Sequence, residues 1–289
     1  MRLTLPQKVS ALVRGWRYRQ ELRHLLVRRF WQQHESFDVN IDGLRASFDT
    51  SDFYSNFSFY MTEHEEVEPP VARMIAQAAP TARSFFDIGA NLGYFSVIAG
   101  LAAPSLRIDA LEMDRSIYPM LRRNLERNGV KGVTLHEGAV GETAGTLRFQ
   151  PHLYSFLAKC APEDAVVPEL EIDVPIIRID DVIAKLPKPP DLVKMDVDGA
   201  EVDALRAADT MLSTPDLVMF LELHSPLLEA RGQSLGDVWE ILARHGLASY
   251  QITDHRSHGG GLRKLESFNG LPTNDMVLVT RRDPAEIWP

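Results

Sequence analysis

Between residues 84 and 280, short apolar runs alternate with stretches whose apolar positions repeat at helical spacing. That rhythm predicts an α/β protein built on a mostly parallel, doubly wound sheet. The runs Ser84–Ile88, Arg107–Glu112, Val133–Glu137, Leu192–Met195, 217–223, 249–253 and 276–280 are the predicted strands, and the periodic stretches Tyr94–Ala102, 116–127, 201–212 and Leu235–Arg244 the predicted helices. Asn128-Gly129 and Pro104 mark helix ends. Residues 146–150 and 171–179 read as extra strands, and the variable segments 151–170 and 254–273 are the expected acceptor loops. Earlier in the chain, Asp42-Gly43 predicts a hairpin turn within 38–60, and Pro69-Pro70 opens a helix over 71–79 that Pro80 stops.

The first residues differ in kind. Val9, Leu12, Val13 and Trp16 share one helical face, while Leu22, Leu25, Leu26 and Phe30 share a rotated one, which two short helices or one wrapped helix would satisfy. Residues 1–31 hold eight Lys/Arg against the single acid Glu21, so this piece carries +7 and the remainder −16 of the net −9. The expected organisation is a basic helical arm over 1–40 followed by one domain over 41–289. The arm docks on the acidic body or on another subunit, with peripheral contact to an anionic membrane surface as the alternative. A body this acidic repels phosphates and excludes a nucleic-acid groove. Composition, at 45% hydrophobic and 25% charged, is that of a folded soluble protein. The lone Cys160 forms no internal disulfide, no Cys/His spacing resembles a zinc site, and no apolar run reaches the ~18 residues of a membrane span. The expected location is the cytoplasm, with the arm offering contact to the inner face of the membrane.

The chemistry begins at Asp87-Ile88-Gly89-Ala90-Asn91-Leu92-Gly93, which follows the first strand of the series and opens a helix. Gly89 can turn the chain sharply and Gly93 lets the helix start close to a ligand. Asn91 stands where a dinucleotide fingerprint would place its second glycine, and Asp87 at the strand end would oppose a pyrophosphate while attracting an ammonium. Glu112 ends the next strand 19 residues after Gly93, near the offset at which an acid reaches ribose hydroxyls. A ligand with a ribose, an ammonium and no phosphate is what S-adenosylmethionine presents, so a nucleotide-linked oxidoreductase is the weaker alternative.

These residues resemble the FkbM-type S-adenosylmethionine-dependent methyltransferases. The resemblance rests on the Asp87-to-Gly93 block with Tyr94-Phe95-Ser96, on Leu111-Glu112-Met113-Asp114, on Gly138-Ala139-Val140-Gly141, on Lys194-Met195-Asp196-Val197-Asp198-Gly199-Ala200-Glu201 and on Leu221-Glu222-Leu223-His224. It spans roughly residues 41–280, and the first and fourth blocks are its specific ones. Asp198 departs from the family's usual glutamate by one methylene. The resemblance implies a class I methyltransferase fold with seven strands, the last antiparallel, places Ala139 with Asp87, Gly89, Asn91, Gly93 and Glu112 at the cofactor, and implies O-methylation of a carbohydrate or small hydroxylated metabolite. A catalytically silent cofactor-binding partner subunit is the alternative from another class.

Transfer from a sulfonium to an oxygen requires alignment of the acceptor and removal of its proton. Ligands of such sheets gather at the carboxyl ends of the strands, where Asp196 and His224 lie. His224 is the expected base because it titrates near working pH, with Asp196 beside it as a second catalytic candidate and His64, His255 and His258 as rivals. Asp198 and Glu222 are the expected acceptor-positioning residues. Glu222 lies in an apolar run where an unpaired carboxylate is costly, so acceptor or cofactor positioning is its expected role and a salt bridge to Lys194 on the neighbouring strand the alternative. Asp196 and Asp198 could share a cation only if the chain turns between them, so no metal is expected and a divalent ion is a secondary reading. Glu65, Glu66 and Glu68 read as a solvated helix start.

Overall fold

The computed structural model describes residues 36–49, 67–151, 171–256 and 260–288. The basic segment, His64, Glu65, Glu66, Cys160, His258 and nearly all of the 151–170 loop lie outside the described residues.

The expected hairpin is β1 (Ser36–Ile41) and β2 (Leu44–Asp49), turning at Asp42-Gly43. Its Val39, Ile41, Ala46 and Phe48 enter the core, so residue 40 falls inside a strand of the main body. Helix α1 (Pro69–Ala78) follows, then a 3₁₀ turn at Ala79–Thr81, β3 (Ser84–Ile88), α2 (Tyr94–Ala102), β4 (Arg107–Glu112), α3 (Tyr118–Arg127) and β5 (Val133–Glu137). The hairpin is tied to this unit: Asn124 and Asn128 accept from the backbone N–H groups of Asp49 and Ser47, and Phe48 stacks on Tyr94 at 5.1 Å. Next come β6 (Ala139–Val140), β7 (Gly145–Phe149), β8 (Ile172–Ile177), α4 (Ile179–Ile183) and β9 (Leu192–Met195). The two extra strands of the sequence reading, β7 and β8, join β6 in a separate three-stranded sheet.

The stretch predicted as one helix over 201–212 divides into α5 (Glu201–Arg206) and α6 (Asp209–Leu212). Then follow β10 (Val218–His224), α7 (Ser225–Ala230), α8 (Leu235–Arg244), β11 (Ala248–Ile252), β12 (Leu262–Lys264), β13 (Asn274–Thr280) and α9 (Pro284–Ile287).

The main sheet runs β12-β11-β13-β10-β9-β3-β4-β5, with β13 antiparallel to β10 between β10 and β11. Without β12 this is the class I methyltransferase order. The eighth strand, formed from residues expected in an acceptor loop, extends the β11 edge antiparallel. Strands β3, β9 and β10 are buried along their whole lengths because helices cover both faces, which is why they read as unbroken apolar runs. One core lies beneath α1, α2, α3 and the hairpin, the other beneath α4, α5, α6 and α8. The carboxyl ends of β3, β4, β9 and β10 are thereby held side by side on one edge. No helix among the described residues is long and apolar enough to cross a membrane.

Candidate active site

The turn after β3 is constrained from two sides. Gly89 has φ +81°, and a Cβ there would lie 1.8 Å from the backbone oxygen of Asp196. The close approach arises because β3 and β9 end together, with the Asp196 N–H donating to Ile88 O at 2.9 Å. Gly93, at φ +80°, is the N-cap of α2. The backbone N–H of Asn91, itself at φ 50°, donates to Glu112 Oε2 at 2.8 Å, while the N–H groups of Met113 and Asp114 donate to Glu112 Oε1, each at 2.8 Å. Glu112 thus staples the loop after β4 to the glycine loop. Burial outweighs these three donors and pushes its carboxyl up to about 7, so it gains from further hydroxyl donors such as those of a ribose.

Asp87 lies beneath the loop at 1% exposure. Oδ2 accepts from Ser96 Oγ at 2.6 Å, while the buried Oδ1 has no hydrogen-bond partner among the described residues. Burial raises its pKa, with Lys194 opposing. An orphaned carboxylate oxygen beneath a glycine cradle fits an ammonium-bearing cofactor and repels a pyrophosphate. Ala139 begins β6, buried, just after the Gly138 N–H has donated to Glu112 O at 3.0 Å, so it borders the same loops.

The second half of the site lies at the ends of β9 and β10. Lys194, almost wholly buried, puts Nζ 2.9 Å from Asp196 Oδ2 and 5.0 Å from the centre of the Phe95 ring. Burial disfavours its charge, but Asp196, Glu68, Glu222 and Asp87 together raise its pKa. Asp196 is also desolvated, yet Lys194 holds its carboxyl below the usual range. The period of two along β10 puts Glu222 and His224 on one face of the sheet. Glu222 takes Arg256 Nη2 on Oε1 at 3.2 Å rather than forming the alternative salt bridge with Lys194, whose ammonium is held by Asp196. Burial and the neighbouring Asp196 raise the pKa of Glu222.

His224 is 6% exposed and ends β10. Its Nδ1 lies 2.8 Å from Glu201 Oε1, which also accepts from the Gly199 N–H at 3.1 Å. An ionised carboxylate only accepts, so Nδ1 carries a proton and the neutral ring has a bare Nε2. That Nε2 faces Asp198 at 3.4 Å, Glu222 at 3.7 Å and Asp196 at 3.8 Å. Burial works against the imidazolium, but Glu201 and then the three acids raise the pKa to about 9. His224 therefore does not titrate near its ordinary value, as the sequence suggested, and is a cation at neutral pH.

The turn required between Asp196 and Asp198 exists. Asp198 at φ 44° and Gly199 at φ +91° fold the chain back, bringing ligand atoms of Asp196, Asp198 and His224 within 4.8 Å of one another. Glu201 has no role in the sequence reading; the signal for it is an acid in the first turn of a helix beside a glycine turn. Glu68 is expected at a solvated helix start. In the structure it is the N-cap of α1 at φ 44°, turned inward, and burial followed by Glu222 raises its carboxyl to about 8. His255 also reaches this edge of the sheet, from the turn after β11.

Residues 87–247 match the Methyltransferase FkbM domain. Methyltransferase 1 of Beauveria bassiana (strain ARSEF 2860) is 29% identical over 142 residues, covering 43% of this chain and 57% of that protein. Methyltransferase sdnD of Sordaria araneosa is 27% identical over 158 residues, covering 43% and 59%. The match thus spans under two thirds of each relative's length. Among solved structures, Methyltransferase FkbM from Methylobacillus flagellatus KT aligns with a TM-score of 0.42 at 15% identity, over 89% of this chain and 59% of that one.

Proposed function

The chain belongs to the FkbM methyltransferase family, and we propose that it transfers the methyl group of S-adenosylmethionine to a hydroxyl of a carbohydrate or small hydroxylated metabolite. When bound, the cofactor supplies a methyl group already activated on a sulfonium. The residues that would hold it are Gly89, Asn91 and Gly93 at the loop, Asp87 toward the ammonium, Glu112 toward the ribose, and Ala139 beside them.

The observation that carries the reading is the buried Glu201–His224 pair at the strand edge that also holds the glycine loop. Glu201 fixes the ring and its tautomer, leaving Nε2 as the atom that removes the acceptor proton as the oxygen attacks. Asp198 and Glu222 face that nitrogen and are placed to orient acceptor hydroxyls. Asp196, held ionised by Lys194, is too weak a base to compete and serves to position. The acids that keep His224 charged shift its working range upward: the base form accumulates toward pH 9, and it is reached more readily when another cation shares those acids.

The test is a panel of sugars and hydroxylated metabolites incubated with label on the donor methyl group. An O-methylated product is expected, with wild-type turnover rising toward about pH 9 and a loss of kcat by about 10²–10⁴ in His224→Ala while cofactor affinity is kept. A labelled methyl group attached to nitrogen or carbon of the acceptor, or near-normal turnover of the variant, overturns the assignment.

A further inference from the structure

A second group of side chains lies beside the acceptor edge and shares only Glu222 with the chemistry above. Glu68 at the start of α1, Glu222 in β10 and His255 in the turn after β11 come from three separate parts of the chain. One carboxylate oxygen of each acid and one ring nitrogen of His255 lie within 4.8 Å of one another. His255 is 7% exposed and its Nε2 is buried with no hydrogen-bond partner among the described residues; Glu68 Oε2 is likewise buried without one. Its other nitrogen, Nδ1, faces Asp275 Oδ1 at 3.5 Å. Asp275 is itself 3% exposed and is held by Gln251 Nε2 at 2.6 Å on Oδ2.

A buried imidazole nitrogen without a partner, next to two carboxylates, lacks an electrophile. The Asp275 carboxylate behind the ring is the arrangement that orients a ligating histidine and fixes its tautomer. We propose that Glu68, Glu222 and His255 form a binding site for one divalent transition-metal ion, with His255 Nε2 as the nitrogen ligand and Asp275 orienting the ring. One imidazole with two carboxylates suits manganese, iron, cobalt or zinc better than magnesium or calcium, which favour oxygen alone. Arg256 now donates to Glu222 Oε1, but its side chain is 59% exposed and can withdraw toward solvent to release that oxygen. The site adjoins the Asp196, Asp198 and His224 cluster through Glu222, whose Oε1 lies 3.7 Å from His224 Nε2, but shares no other residue with it. Its nearest consequence is for the acceptor: an ion held by Glu222 offers open coordination positions to vicinal hydroxyls beside the base.

Titration of the full chain with Co²⁺ tests this by its visible absorption and by equilibrium dialysis, without any acceptor. One equivalent is expected to bind, with a spectrum showing nitrogen and oxygen ligation. Glu68→Gln and His255→Ala should each weaken binding at least about 10-fold, and Asp275→Asn should weaken it by about 10–100-fold. Asp198→Asn should bind as the wild type does. Should His255→Ala fail to fold, Glu68→Gln, which preserves shape, decides alone. Absence of stoichiometric Co²⁺ binding, binding that survives Glu68→Gln and His255→Ala, or binding lost only in Asp198→Asn overturns the proposal.

Discussion

Replacing Gly89 by alanine separates the conformational demand of the cofactor loop from the demand made by packing. A side chain at φ +81° costs about 1–2 kcal/mol, because Cβ meets the carbonyl oxygen that follows it. That part is common to Gly89 and Gly93, whose φ is +80°. At Gly93 the new Cβ would meet Leu121 Cγ at 3.3 Å, a side-chain atom that has to give by only a few tenths of an ångström. At Gly89 it would lie 1.8 Å from the Asp196 backbone oxygen, about 1.5 Å inside van der Waals contact with an atom that cannot rotate away. The carbonyl can retreat only if β3 and β9 separate at their ends, which breaks the 2.9 Å bond from the Asp196 N–H to Ile88 O. Losing that bond adds about 0.5–1.5 kcal/mol, and strain in the packed strands about 1–3 more. Gly93→Ala is thus expected to lose about 1–2 kcal/mol and Gly89→Ala about 3–6 kcal/mol. Urea unfolding measures the difference, and calorimetry with S-adenosylhomocysteine should show cofactor binding lost in Gly89→Ala and weakened less in Gly93→Ala. Equal destabilisation of the two variants would refute the argument from the Asp196 carbonyl.

Glu112→Gln replaces an acceptor of three backbone N–H groups by a side chain that presents an amide to some of them. It should weaken S-adenosylhomocysteine binding by about 1.5–3 kcal/mol, and an unchanged Kd in calorimetry would remove Glu112 from the site. Stability should fall as pH rises from 6.5 to 9. The contribution of His224 is complete below its ordinary 6.5 and is lost through about 9; that of Glu68, raised from 4.5 to about 8, is complete below 4.5 and is lost through about 8, so its loss overlaps the lower part of that range. A Tm flat or rising across that range would contradict the charge assignments, and Glu68→Gln should reduce the slope. Removing residues 1–35 should leave cofactor affinity unchanged, since every cofactor residue lies at or beyond Asp87. If the basic arm meets membranes, the full chain should sediment with anionic vesicles in a salt-sensitive way, and sedimentation indifferent to lipid charge leaves the docked arm.

What could be read along the chain was what depends on neighbours in sequence. The apolar runs marked β3, β9 and β10, because strands covered on both faces are apolar throughout. The Asp87-to-Gly93 loop and Glu112 were legible because a glycine turn between a strand and a helix, followed by an acid at the next strand end, is a local pattern. Residues two apart on a strand share a face, so the spacing of Glu222 and His224 is also local information. The charges of those groups were not legible, because they follow from partners brought in by folding. Lys194 pairs with Asp196 and leaves Glu222 to Arg256, 34 residues away. Glu201 reaches His224 across 23 residues and turns an ordinary histidine into a cation. Glu68 faces the site because the chain enters α1 through a left-handed residue, where composition alone suggested a solvated acid. Periodicity follows from which face of a strand or helix meets the core, and one segment carries that information. Protonation depends on desolvation and on charges a few ångströms away in space, and those distances exist only once the strands lie side by side.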